Sequence, residues 1–413
     1  AEQVKQPDIV GSTLARSNLL SIDLNVFLHQ NLASLEQWRN HMARGFVSER
    51  AVRDGERWIA DCLTAALNSW TAEQYGEFFL CLAFNSTLLK HLDAAGEETQ
   101  RYFWSRVQHV NLLEVVDTDP ALAFLLKFDR PHVAVNALKR ALSQNPNSIA
   151  PERIAEILEA AILTAPEPGF HVSGFAYKSA ELLNRLEARN LSRDRLAKLE
   201  WLYFPIHENY RSPHILHKEM SCNPEFFIEL LQCIYPPKNE LQPEESENKI
   251  ARARLPWELL ESWKQMPGQQ KDGTVDVEAL RGWVLRVREL AAACDRSESA
   301  DIHIGQALAF SPIDSDGTWP HQNVRDLIEE LANSDIENAW QTQMFNNRGV
   351  TCRSITAGGE PERILAERYE SYAKQMYDLW PRTAGVMHTL AEDYRHQALH
   401  QDQQAELTQD FWR

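Results

Sequence analysis

Apolar residues recur three and four positions apart over most of the chain. Trp58, Ile59, Cys62, Leu63, Ala66 and Leu67 fall on one stripe, and Phe226, Phe227, Leu230, Leu231 and Ile234 on another. Further stripes run through Ile154, Ile157, Leu158, Ala161 and Ile162, through Leu280, Trp283, Val284, Val287 and Leu290, and through Val324, Leu327, Ile328 and Leu331. That period places the apolar side chains on one face of a helix. Two-residue alternation of the strand kind is nearly absent. The pattern therefore predicts an all-α chain, either helical hairpins stacked as a HEAT-like solenoid or two helical sub-domains.

Prolines mark where helices should begin, because a first helical turn loses nothing by lacking an N–H. Asp119-Pro120, Arg130-Pro131, Ala150-Pro151, Ser212-Pro213 and Asn223-Pro224 each precede an apolar-periodic run. Pro120 to Pro131 and Pro213 to Pro224 share one spacing, which hints at repeated hairpins. Residues 236–250 break the pattern with prolines, charges and few large apolar side chains, and read as a linker or long loop. The expected organisation is a helical unit over 1–235, the linker over 236–250 and a second helical unit over 251–413. Residues 310–320 and 346–360 read as shorter loop-rich interruptions, the latter before a long closing pair of helices.

An apolar fraction of 44% with 24% charged residues is that of a folded chain. The net charge of −17, from 59 acidic and 42 basic residues, opposes non-specific attraction to nucleic acid or anionic membrane. No run approaches the roughly 18–20 apolar residues of a membrane span. The start, Ala1-Glu2-Gln3-Val4-Lys5, has neither an initiator Met nor a signal-peptide core, and reads as a processed terminus or, in preference, a cut from a longer chain. Cys62, Cys81, Cys222, Cys233, Cys294 and Cys352 form no CxxC pair, and Cys62, Cys81 and Cys233 lie among apolar residues at helical spacing. They read as reduced thiols of a cytoplasmic protein.

Candidate chemistry is sparse. His207-Glu208-Asn209-Tyr210-Arg211 begins like the zincin helix but has Arg211 at the second ligand position. His214, His217, Glu219 and Cys222 nearby are ligand types without a matched third partner, and His396 and His400 fall on a polar helix face. Asp314-Ser315-Asp316-Gly317 echoes a calcium loop, yet Pro312 and Asn323 occupy its first and twelfth positions. Gly358-Gly359 leads into Glu360-Pro361-Glu362, whose carboxylates suit a helix cap and oppose phosphate. Pro224-Glu225 and Glu247-Asn248-Lys249 resemble a nuclease centre only in their letters, one half opening a helix and the other lying in the linker. No GxSxG occurs, and Ser173-Gly174 sits in a turn beside His171. Of the 12 Trp, Trp38, Trp70, Trp104, Trp257, Trp263, Trp319, Trp340, Trp380 and Trp412 stand at or near expected helix boundaries. Most suit packing, and a minority on a concave face would suit a protein partner.

The segments Phe345-Asn346-Asn347-Arg348-Gly349-Val350-Thr351, Gly358 to Arg363, Ala366-Glu367-Arg368-Tyr369, Trp380-Pro381-Arg382-Thr383-Ala384 and Ala391-Glu392-Asp393-Tyr394 carry a resemblance. They resemble the helical C-terminal region of large bacterial multidomain proteins, some of them phage-defence-like, with an effector joined to a long helical sensor. Leu199 to Tyr203 and Asn223 to Phe227 are similar too. The resemblance implies a region within a bigger chain and carries no catalytic residue across.

The residues thus point to a non-catalytic helical recognition or scaffold module whose partner is a protein or another domain of the same polypeptide, with no cofactor, no metal and no catalytic residue assigned. The alternative is a metal-assisted hydrolytic site around His207, Glu208, His214, His217 and Glu219. Nucleic-acid binding through Lys271, Arg281, Arg286 and Arg288 is disfavoured by the net charge.

Overall fold

The computed structural model describes residues 6–17, 24–66, 69–108, 118–166, 170–236, 247–349 and 358–411. Among the described residues there are twenty helices and no strand, and Gln269 and Val275 form an isolated antiparallel bridge. The all-α expectation holds. None of these helices is long and apolar enough to cross a membrane. The chain divides into two compact units, Ala1–Ser212 and Pro213–Arg413.

In the first unit, helix Pro7–Arg16 lies along Gln37–Ala66. Their contact depends on two glycines. A Cβ on Gly11 would stand 1.9 Å from Met42 O, and one on Gly45 would stand 2.1 Å from Asp8 O. The buried ring of Phe78 then meets Trp58 and Trp70, and Trp104 stacks on Phe124 at 5.3 Å. From residue 118 the packing becomes regular. Helices Thr118–Lys127, Pro131–Gln144, Pro151–Leu163, Val172–Ala188 and Arg193–His207 each pack on the next. From Pro131–Gln144 onward each also meets the next but one. The stripe Ile154, Ile157, Leu158 and Ala161 faces this core, every member at most 1% exposed.

The proline signal is accurate. Pro120, Pro131, Pro151 and Pro224 all fall in the first turn of a helix, and Pro213 stands immediately before His214–Cys222. Asn223 adds a cap, its Oδ1 accepting the Phe226 N–H at 3.2 Å.

The second unit begins ahead of the apolar-poor segment rather than after it. Helix Pro224–Ile234 packs on Glu247–Ser262 and Val277–Ala293, with Phe227 between Trp263 and Trp283 at 5.6 and 5.0 Å. The division therefore falls at Ser212/Pro213, because the helix before residue 236 shares a core with those after it. Residues 237–246 of the expected linker lie outside the described residues, and Glu247, Asn248 and Lys249 open a helix. Helix Ser297–Leu308 pairs with Ser334–Asn346, and the expected closing pair is Glu360–Met376 with Pro381–Phe411.

Described residues of four of the segments that carry the resemblance meet within the second unit. Arg348 bonds the buried Glu362 and lies over the Tyr394 ring, which stacks on both Tyr369 and Phe345. Thr383 donates to Glu329 through both its N–H and its hydroxyl, fixing the start of the last helix. These residues hold the helices of the second unit together.

Candidate functional site

The residues nearest to a metal motif are structural. His207 ends helix Arg193–His207, is 2% exposed, stacks on Tyr203 at 5.1 Å and shares a 2.8 Å hydrogen bond with Ser179 Oγ. Burial, reinforced by the Arg211 charge, pushes its pKa down to about 4. Glu208 is exposed. Arg211 turns inward to Glu200 at 3.0 Å and Glu187 at 3.1 Å. Its presence at the second zincin position thus has a packing cause. In the second unit, buried His217 pairs with Ser262 Oγ at 3.0 Å, and burial followed by the His214 charge lowers its pKa to about 4. Glu219 is half-buried and accepts from Asn223 Nδ2 at 3.4 Å. His207 and Glu208 belong to one unit and His214, His217 and Glu219 to the other. Among the described residues, no three His, Cys, Asp or Glu side chains gather as metal ligands would.

The calcium-like loop already contains its cation. Asp314 Oδ2 accepts from the Gln322 N–H at 2.8 Å and from the buried Arg325 guanidinium, while Asp316 Oδ1 accepts from the Thr318 N–H. Gly358-Gly359 is likewise a packing device: the Gly359 N–H donates to Asp402 Oδ1 at 2.7 Å. Of the basic candidates, Arg281 pairs with Glu330, Arg286 with Glu225 and Arg288 with Asp301. Their charges are locally matched, and Glu225, one of the nuclease letters, is taken up in one of the pairs. His396 and His400 are exposed on the last helix.

Each unit holds a concavity lined by described residues. In the first unit, a recess of about 530 Å³ is lined by Asp119, Glu152, Arg153, Glu156 and Arg195 together with residues 148–150. Arg153 is clamped by both oxygens of Asp119, at 2.8 and 3.1 Å, and by Glu156 at 2.6 Å. Arg195 is turned towards Glu159. Both guanidiniums are engaged, and exposed Glu152 leaves the recess with an excess of carboxylate.

In the second unit a cavity of about 190 Å³ lies where helices Glu247–Ser262, Ser297–Leu308 and Ser334–Asn346 converge. Trp257, Trp263 and Phe310 supply rings, and Gln306, Gln343 and Asn346 supply amides. Glu261 and Lys264, both exposed, stand at its edge. His303 forms part of the wall, bonded through Nε2 to Tyr235 Oη at 2.9 Å. Burial lowers its pKa to about 4, with Gln306 hydrogen bonding acting in the opposite sense. Tyr235 also meets the Trp257 ring edge-on at 6.4 Å.

No family model matches the chain, and no curated protein or solved structure matches it. The residues themselves therefore bear on function. Of the tryptophans at expected boundaries, Trp70, Trp104, Trp263 and Trp340 are buried, Trp319 and Trp380 partly so, and Trp38 and Trp257 are exposed. Trp412 lies outside the described residues. Cys233, expected among apolar neighbours, faces solvent because its helix turns Phe227, Leu230 and Leu231 inward instead.

Proposed function

We propose that this chain is a non-catalytic, helical-repeat recognition module that binds a protein partner presenting basic residues. The observation that carries the reading is the acidic recess on the stacked helices of residues 118–207, where Arg153 and Arg195 are already engaged by carboxylates and Glu152 is exposed. Stacked helices offer long surfaces of fixed shape, and such surfaces commonly bind proteins. The overall charge of −17 favours a basic partner and speeds its approach. The resemblance to helical sensor regions of large bacterial proteins is in keeping with a sensor or scaffold role in the cytoplasm, phage defence included.

The test is capture of one defined protein by the full chain, repeated with Glu152→Lys/Glu156→Lys. Binding should weaken as salt shortens the Debye length from ~10 Å at 0.1 M to ~3 Å at 1 M, and the double variant should lose it. Reproducible hydrolysis of nucleotides, nucleic acid or peptides by the purified chain, abolished by one point substitution, would overturn the reading.

A further inference from the structure

The cavity of the second unit is lined by both aromatic rings and amides. Its 190 Å³ exceeds the ~150 Å³ in which a dry protein cavity takes up benzene. One ring or two fused rings would fit. A void left by imperfect packing would be walled by aliphatic groups, whereas three primary amides, Gln306, Gln343 and Asn346, line this one beside the aromatic rings. A primary amide offers a donor and an acceptor at fixed spacing, the pattern that matches the edge of a nitrogen heterocycle. Gln343 donates one N–H to Asn347 Oδ1 at 2.8 Å, which orients its amide.

Trp257 supplies the other half of such a site. Its indole is 44% exposed, although the edge-on ring of Tyr235 steadies it. A large ring left half-open beside a cavity is a stacking platform, and stacking tolerates any heterocycle with a π-face. Charge sets the remaining preference. Glu261 and Lys264 are of opposite sign, so the pocket edge selects neither an anion nor a cation, and the chain's −17 repels a polyphosphate strand.

We propose that this cavity binds a small, neutral, planar nitrogen heterocycle of the nucleobase class, stacked on Trp257 with its polar edge toward Gln306, Gln343 and Asn346. The site lies within the second unit and is independent of the acidic recess, so either reading can fail alone.

Titration calorimetry of the full chain with adenosine, guanosine, cytidine and uridine tests it. At least one nucleoside should bind at a single site with Kd below 1 mM, a threshold of about −4.1 kcal/mol. Trp257→Ala should weaken that binding about tenfold or more, the size expected for a lost stacking face. Gln343→Leu, close in shape to the original side chain, should weaken it while the thermal midpoint stays near that of the parent. A matching 5′-monophosphate should bind no more tightly than the nucleoside. The proposal fails if no nucleoside binds, if binding survives both substitutions unchanged, or if only a single-stranded oligonucleotide binds.

Discussion

The Arg211 guanidinium lies 3.0 Å from Glu200 Oε1, and each side chain is only 3% exposed. Removing one member of such a pair leaves the other charge sealed from water, whereas replacing both by apolar groups is often tolerated. Arg211→Ala should therefore lower unfolding stability by ~3–5 kcal/mol, read from urea titration, and Arg211→Met/Glu200→Leu should recover most of the loss. Arg211→His would complete the letters of the zincin motif. It should bind no zinc in equilibrium dialysis, because His207 is buried against Tyr203 and committed to Ser179.

Three buried histidines give the chain an acid-sensitive stability. His207, His217 and His303 are each pushed down to about 4, in every case chiefly by burial. Well above pH ~6.5 neither folded nor unfolded imidazole carries a proton. Between 6.5 and about 4 the unfolded chain takes up protons that the folded one refuses, so stability falls as pH falls. The full gap corresponds to roughly 3 kcal/mol per histidine. Urea midpoints should decline steadily from pH 6.5 to 5, and His303→Gln should make that slope shallower. A flat profile would contradict the burial of these side chains.

The helices were legible because their signals are local. Apolar stripes, and a proline in or just before the first turn, need only neighbours in sequence, so Pro131, Pro151 and Pro224 locate their helices without knowledge of the fold. The unit boundary was not local. Phe227 finds Trp263 and Trp283 across the apolar-poor segment, and nothing in residues 236–250 announces that. The misfit at Arg211 was visible in the sequence, but its partner Glu200 sits in mid-helix and carries no motif. The cavity was the least legible feature, since Trp257, His303 and Gln343 come from three helices and none stands out in its own segment. Trp257 was visible only as one of many boundary tryptophans.

The loop before helix Gln322–Leu331 should be indifferent to calcium. Asp314 accepts from two backbone N–H groups, of Ser315 and Gln322, and from Arg325, whose guanidinium lies 4.4 Å from the Trp380 ring centroid. A divalent ion would have to displace a buried guanidinium that already neutralises the carboxylate. Millimolar calcium should leave the thermal midpoint unchanged. Asp314→Asn should lower stability by ~1.5–3 kcal/mol, the range for hydrogen bonds to a charged group.

Two glycines in neighbouring helices should respond oppositely to the same added methyl group. Gly305 lies where helix Ser297–Leu308 meets Ser334–Asn346, and a Cβ there would stand 2.3 Å from Ile336 O and 3.0 Å from Trp340 N. Backbone cannot yield as a side-chain tip can, so Gly305→Ala must push the two helices apart. Overpacking of this kind costs ~1–3 kcal/mol. Gly282, inside helix Val277–Ala293, has nothing within 4 Å of its Cβ position. There alanine adds no clash and removes the conformational freedom that glycine gives the unfolded chain, for a gain of ~0.5–1 kcal/mol. The pair also reports on the cavity, because Gln306 follows Gly305 directly and Gln343 lies two turns beyond Ile336 on the partner helix. Separating the helices at Gly305 changes the distance across the pocket, whereas Gly282 lines no part of it. Gly305→Ala should lower both the thermal midpoint and nucleoside affinity, while Gly282→Ala raises the midpoint and leaves affinity as it was. Equal destabilisation by the two substitutions would mean that the helices do not approach at Gly305 as described.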